Sequence, residues 1–391
     1  MSTFTVAKSA LQTKINLCNQ ICSKKDPVEV YTHTKLEVKA GILFISCLNS
    51  SLFFQSSITL ETSTADCVFA IKTDMFAAAV ELIDSATVEF KLDAEKQTLL
   101  VKGTKSKHNL RTQNKLVDDF ICPVQNKESI RATIEMESKN FESAVQKAFI
   151  AVGTPKNTYQ PEFCNVCFSV NDENNSLNIV STDRYRISRS VPAITSLVLN
   201  KENANYKEGQ TNFLLLPKNL KLALSSIDSA ASVNLSFEND FAWIKAGSTE
   251  LTMSYGQGTY PDYNKIIPGS FACNFVLDPK EMQSALKQVS LIGNLDAVNR
   301  KVKLIVNPDA QEIKLIAETS DGESSESVVK IEKYEGVSEP WEQSFNSGYI
   351  MDYLNNSDAE KILWESNPGK PSILSPENNK ATELYLVSGL K

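Results

Sequence analysis

The sequence predicts an α+β protein of three tandem domains, each with two helices packed on antiparallel sheets. Two observations lead there. A short strand followed by an amphipathic helix occurs three times, in TFTVAKSALQTKINLCNQI from Thr3, ATIEMESKNFESAVQKAFIAV from Ala132 and CNFVLDPKEMQSALKQVSLI from Cys273. A second strand-helix pattern follows each of these, in CVFAIKTDMFAAAVELIDS, NFLLLPKNLKLALSSIDS and EQSFNSGYIMDYLNNSD. The repeat is roughly 130 to 140 residues long, too long for a solenoid and right for separate domains. The expected domains are 1–127, 128–269 and 270–391, with boundaries in PVQNKESIR and near PGS.

Each element has a local reason. In the first helix Leu11, Ile15, Cys18 and Cys22 fall on one stripe. In the second the stripe is Phe141, Val145, Ala148 and Val152, and in the third Met282, Ala285, Leu286 and Val289. That spacing buries one helix face. Asp278, Pro279 and Glu281 supply an N-cap, a first-turn proline and an N3 acid. Pro217 suits the first turn of another helix. Between the helices lie alternating runs, KLEVKAGILFISCLN, SLNIVSTDRYRISRSV and VKLIVNPDAQEIKLIAE. They read as hairpins turning at Lys39-Ala40-Gly41, at Asp172 to Asn175 and at Pro308-Asp309.

Composition excludes several classes. Of 391 residues, 42% are hydrophobic and 22% charged, so the chain is neither disordered nor fibrous. No apolar run approaches the roughly 20 residues that span a bilayer, and the first residues lack a secretory pattern. A cytoplasmic location and no membrane partner are expected. Eight scattered cysteines fit a reducing compartment.

The net charge of -7 argues against a protein that simply coats nucleic acid. The helices nevertheless carry lysines opposite their apolar stripes: Lys8 and Lys14, Lys139 and Lys147, Lys218 and Lys221, Lys280 and Lys287. Lys24 and Lys25 follow the first helix; Asp352 on the last helix breaks the pattern. Lysine point charges bind phosphates without reading base sequence. The plainer reading is that they solvate helix surfaces.

Four strings stand out in order: Ser181-Thr182-Asp183-Arg184-Tyr185-Arg186-Ile187, Tyr260-Pro261-Asp262-Tyr263-Asn264-Lys265-Ile266-Ile267-Pro268, Phe345-Asn346-Ser347-Gly348-Tyr349-Ile350-Met351-Asp352 and Tyr385-Leu386-Val387-Ser388-Gly389-Leu390-Lys391. Together they resemble the bacterial β sliding clamp, the processivity subunit of DNA polymerase III. The first resembles that family's Thr-Asp-x-x-Arg-Leu strand and the second its Phe-Pro-Asp-Tyr-x-x-Val-Leu-Pro segment. The third resembles the entry to its last helix, and the fourth is similar to its C-terminal string.

The resemblance implies the DNA-clamp fold, with two chains joined head to tail as a six-domain ring around double-stranded DNA. It implies a peptide pocket that holds the replicative DNA polymerase, the clamp loader and other proteins carrying a clamp-binding motif. By position that pocket takes in Phe163, Thr182, Arg184, Tyr185, Arg186, Ile187, Pro261, Lys265, Ile266, Asn346, Tyr349, Leu386, Val387, Ser388, Gly389, Leu390 and Lys391. The DNA-facing lysines would be Lys14, Lys24, Lys25, Lys139, Lys147, Lys218, Lys221, Lys280 and Lys287. The dimer interface would join Lys105, Lys107, His108 and Leu110 of one chain to Leu291 and Ile292 of the other, with Glu323 and Glu326 as acidic partners. Ser388 and Gly389 stand where many relatives have Met and Pro, which makes that wall smaller. The alternative is an adaptor of the same fold that binds partners without sliding on DNA.

Chemistry is not expected. Only His33 and His108 are present, with no metal-ligand spacing, phosphate loop or nucleophile set, so no catalytic residue and no cofactor is assigned. Cys164 and Cys167 form a lone CxxC on a predicted strand, where they would point to opposite faces. Cys18 and Cys22 read as core.

Overall fold

The computed structural model describes every residue except 157, 204, 206–208, 228–231, 294–299 and 391. It divides into two compact units. The first holds Met1–Lys139, Ile194–Glu208 and Lys218–Tyr255; the second holds Asn140–Ala193, Gly209–Pro217 and Gly256–Lys391. Residues 128–269, expected as a middle domain, are therefore shared between them. The cause is backbone pairing: Thr249–Ser254 continues the sheet of Leu52–Thr59, and Arg186–Ser190 continues that of Glu383–Val387.

Six α-helices lie among the described residues: α1 Lys8–Ile21, α2 Thr73–Glu81, α3 Ser138–Phe149, α4 Pro217–Ser226, α5 Pro279–Gly293 and α6 Ser347–Asn356. All six stand where the sequence pattern puts them, but Cys22 and Val152, expected on the stripes of the first and second helices, lie past the ends of α1 and α3. Asp278 caps α5, its Oδ1 accepting from the backbone N–H of Lys280 at 2.8 Å and of Glu281 at 3.2 Å. Asn346 caps α6, accepting from Gly348 at 2.9 Å and Tyr349 at 3.4 Å. These bonds satisfy amide groups that a helix start leaves open.

The first unit contains two antiparallel sheets. In the smaller, Thr62–Ser63, Ser2–Ala7, Thr87–Asp93, Thr98–Lys102 and Lys107–Arg111 lie side by side, so Lys107–Arg111 is an edge. The larger has nine strands, from Ser196–Leu199 at one edge to Cys67–Lys72 at the other. Its hairpin His33–Lys39 to Ile42–Leu48 turns on Ala40 and Gly41, both at positive φ (50° and 76°). A two-residue turn of that hand matches the twist of the strands. Phe4 stacks on Phe90, which Phe76 meets at a tilt, and Leu11 and Ile15 of α1 are likewise fully buried.

The second unit repeats the plan. A nine-stranded sheet runs from Gln210–Leu215 to Lys333–Gly336, and a four-stranded sheet has Ser324–Lys330 at its edge. Its core centres on Trp364, fully buried, with ring centroids 5.6 Å from Phe275 and 5.6 Å from Phe345. Met282 and Leu286 of α5 and Ile350 and Leu354 of α6 close over it.

The cysteine pair departs from expectation. Cys164 closes a 3₁₀ turn, Pro161–Cys164, and only Cys167 lies in a strand. The proline fixes the turn and ends the extended run before it can begin.

Trp364 is the largest fully buried side chain among the described residues. Trp364→Ala is expected to cost about 3–5 kcal/mol, and Trp364→Phe much less, as read from urea unfolding midpoints at constant m-value.

Candidate functional site

The site lies in the second unit and is built around one arginine. Strands Ser176–Thr182 and Arg186–Ser190 are joined by Asp183-Arg184-Tyr185. The turn is held from both ends. Thr182 Oγ1 accepts from the Arg184 N–H (3.1 Å) and donates to the Arg186 carbonyl (2.7 Å). Asp183 Oδ1 accepts from the N–H of Tyr185 (3.0 Å) and Arg186 (3.2 Å). Arg184 sits at φ 81°, a conformation that L residues other than Asn and Asp rarely adopt. It turns the Arg184 and Tyr185 side chains outward, and Tyr185 is 54% exposed.

Arg186 points the other way, into the unit. Its Nε donates to Asp183 Oδ2 at 3.0 Å. Its Nη1 donates to Asp352 Oδ2 of α6 at 2.6 Å and to Tyr385 Oη at 3.3 Å. The guanidinium lies 4.2 Å from the centre of the Tyr349 ring. Burial alone would weaken its hold on the proton, but Tyr385, Asp352 and Asp183 more than reverse that, so its proton affinity is raised. Tyr385 Oη donates to the Tyr349 carbonyl (2.9 Å), and its ring stacks on Tyr353 at 5.0 Å.

The C-terminal segment is tied down beside this group. Val387 pairs with Arg186 and Leu386 with Ile187. The Ser388 N–H donates to the Tyr185 carbonyl at 2.9 Å, and the Leu390 N–H to the Ser344 carbonyl at 2.7 Å. Gly389 passes close to Gln343: a Cβ there would meet Gln343 Nε2 at 2.4 Å, and that nitrogen donates to the Lys370 carbonyl at 2.6 Å. A side chain at 389 would have to push the Gln343 amide away from the Lys370 carbonyl.

The structure gathers part of the expected residue set. Thr182, Arg186, Tyr349 and the tail meet in one place, and Asn346 caps the helix that carries Tyr349. Ile187, Leu386, Val387 and Phe163 are buried, and Ile187 and Leu386 share a cluster with Tyr260, Tyr263 and Ile373. They form the floor of the region and are not an accessible wall. Pro261, Lys265 and Ile266 belong to the segment that starts at Tyr260; Ile266 is 52% exposed, and Lys265 pairs with Asp262 at 3.1 Å. Lys391 lies outside the described residues. Three members of the centre were missing from the expected set: Asp183, Asp352 and Tyr385. Asp352 had left a trace, since it stands on a helix without lysines where four other helices carry them.

The lysines divide. Lys24, Lys25, Lys139, Lys218, Lys221, Lys280 and Lys287 are exposed. Lys24 and Lys25 line an open cleft of about 770 Å³ with Lys72 and Arg111. Lys14 is half-buried and donates to Thr249 Oγ1 at 2.7 Å. Lys147 does not present free charge: it pairs with Glu383 at 2.6 Å, both largely buried. Lys8 caps the end of α2 through the carbonyls of Glu81 (2.9 Å) and Ile83 (2.5 Å).

At the expected interface, Lys107, His108 and Leu110 lie on the edge strand Lys107–Arg111. Lys105 precedes it, its N–H held by Asp84 Oδ2 at 2.9 Å. Leu291 is 76% exposed on α5, beside the half-buried Ile292. Glu326 already pairs with Lys314 at 2.7 Å, so it carries less uncompensated charge than expected.

This arrangement defines a DNA-clamp fold with an anchored C-terminal segment. Family profiles for the DNA polymerase III beta subunit match at both ends, the N-terminal domain over residues 2–121 and the C-terminal domain over 264–388. The beta sliding clamp of Helicobacter pylori J99 is 23% identical over 388 residues, covering 97% of this chain and 96% of the relative. That of Staphylococcus aureus Mu50 is 22% identical over 397 residues, 99% of each. The Helicobacter pylori beta clamp bound to a DNA ligase peptide superimposes with a TM-score of 0.85 at 19% identity, covering 100% of both chains. The chain belongs to the DNA polymerase III beta subunit family, the beta sliding clamps.

The two carboxylates on Arg186 have different surroundings. The Asp183 side chain is 2% exposed and that of Asp352 48%. Arg186→Ala strands a buried Asp183 charge and is expected to cost about 3–5 kcal/mol. Asp352→Asn removes a half-exposed partner and should cost under about 1 kcal/mol. Urea unfolding of the two variants, at low and high salt, reads the difference.

Proposed function

We propose that the protein is a sliding clamp that encircles duplex DNA as a head-to-tail dimer and tethers the replicative polymerase and other partners to it. The observation that carries this reading is the match to beta sliding clamps over nearly the whole chain, with family profiles at both ends. On this reading the protein carries no catalytic residue of its own and acts in the cytoplasm on the nucleoid. The adaptor reading is not favoured.

The division into domains 1–127, 128–269 and 270–391 belongs to the same proposal. So does the edge-to-edge joining of Lys107–Arg111 of one chain with the domain of its partner that carries Leu291 and Ile292. Edge pairing would satisfy main-chain groups that an isolated edge leaves to water. Exposed lysines such as Lys139, Lys218 and Lys280 would meet phosphates without base contacts, so the ring can move along DNA.

Partners would dock where Arg184, Tyr185 and Ile266 are exposed near the anchored tail. The DNA ligase peptide bound by the Helicobacter relative indicates the kind of ligand. A short peptide with apolar anchors would lie against Tyr185 and Ile266.

Three experiments test the proposal. Light scattering should give the dimer mass, and with a cognate loader and ATP the protein should stay on circular DNA and leave linear DNA. Equal, salt-sensitive retention on both would mean simple electrostatic association. For the pocket, a chain ending at Val387 should lose most of its affinity for a polymerase-derived peptide while keeping its mass and unfolding midpoint. Removing Leu386 and Val387 as well would cut a paired, buried strand, so that longer deletion should unfold the unit.

A further inference from the structure

Three of the eight cysteines meet at one buried point of the first unit, where α1 ends. Cys18 and Cys22 stand one turn apart, the Cys22 N–H donating to the Cys18 carbonyl at 2.8 Å. Cys47 comes to the same point from the strand Ile42–Leu48 and is fully buried, as is Cys18. Lys35 pairs with Ser46, so the strand sets Cys47 beside Thr34, next to the His33 carbonyl that meets Cys22 Sγ; there the three thiols act on one another's titration. Around Cys22 lie the His33 carbonyl, 3.5 Å from Sγ, and the hydroxyls of Thr34 and Thr73, themselves 2.9 Å apart. All eight cysteines are free thiols.

We propose that Cys22 and Cys47 form an oxidation site: a peroxide converts them into a disulfide that pins the end of α1 to the strand Ile42–Leu48. The pair is unequal. The hydrogen bond from Cys47, with others from Thr73 and Thr34, outweighs burial and holds the Cys22 thiol below its usual value. Burial pushes Cys47 well up. The thiolate is the nucleophile, so Cys22 reacts first. Access favours it too. Cys22 is the least buried of the three and is followed by the exposed Ser23, Lys24 and Lys25. The open cleft lined by Lys24, Lys25, Thr32 and His33 brings solvent close to it.

The steps balance. The Cys22 thiolate attacks one peroxide oxygen; an S–O bond forms, the O–O bond breaks, and the leaving hydroxide takes a proton to become water. Cys22 is then a sulfenic acid. The Cys47 sulfur attacks the Cys22 sulfur; an S–S bond forms, the S–O bond breaks, and a second water leaves with the Cys47 proton. Two electrons pass from the thiols to the peroxide, and excess dithiol reverses the link. Such bonds form transiently in reducing compartments. The site does not depend on the clamp reading.

The test uses the full-length, reduced protein and a few-fold molar excess of hydrogen peroxide. Digestion without reduction and mass spectrometry should yield a linked peptide joining Cys22 to Cys47, several-fold more abundant than any other pair, and lost on adding dithiothreitol. Cys47→Ser should abolish the link and leave a Cys22 sulfenic acid that dimedone traps. The wild-type map decides the matter should that variant not fold. The inference is overturned if Cys22 and Cys47 stay reduced while exposed Cys122 is oxidised. A dominant Cys18–Cys47 link, or Cys22 carried to the sulfinic acid without a link, overturns it equally.

Discussion

The pairing of the strand Arg186–Ser190 with Glu383–Val387 is the contact on which the second unit depends. It joins segments almost 200 residues apart in the chain, so its loop-closure entropy is large and must be offset by what the closure buries. What it buries is a continuous floor: Ile187 and Leu386 on one face, Tyr385 and Val387 on the other. Main-chain hydrogen bonds fix the register. A slip by one residue would turn Leu386 out of its cluster and carry Tyr385 away from Arg186.

Arg186 depends on that register. A guanidinium taken out of water needs its donors satisfied and its charge matched. Asp183 comes from its own turn, Asp352 from α6 and Tyr385 from the paired strand, while Tyr349 covers one face. One ion pair ties the hairpin to α6 and the tyrosine hydrogen bond ties it to the paired strand, both far from Arg186 in sequence. They also remove Arg186 from the pool of charges open to a ligand. The exposed positive side chain of that hairpin is Arg184, turned outward by its left-handed backbone.

Charge on the helices obeys the same distinction between count and placement. An acidic chain can carry basic surfaces if its acids lie elsewhere. Some of the helix lysines do present their charge to solvent. Others are used within the fold, Lys147 against Glu383 and Lys8 on the carbonyls that end α2. The buried thiols show a related effect. Cys22, which sequence spacing marks as simple core, has its acidity raised because a hydroxyl pair and a strand cysteine arrive beside a helix end.

The sequence by itself determined the helices, the hairpins and their caps, because each rests on neighbours within a few residues. The stripe Met282, Ala285, Leu286, Val289 and the cap Asp278 need no distant partner to be recognised. Thr182, Arg186, Asn346 and Tyr349 were legible as a set through short strings that resemble one family. The tertiary structure alone decided which members are open and which are floor, that Asp352 and Asp183 hold Arg186, that Lys147 is paired, and that Gly389 passes close against the Gln343 amide. Each of these turns on the distance between groups far apart in the chain. Hydrophobic and polar periodicity records which face of an element is buried, and it carries no record of what that face is buried against.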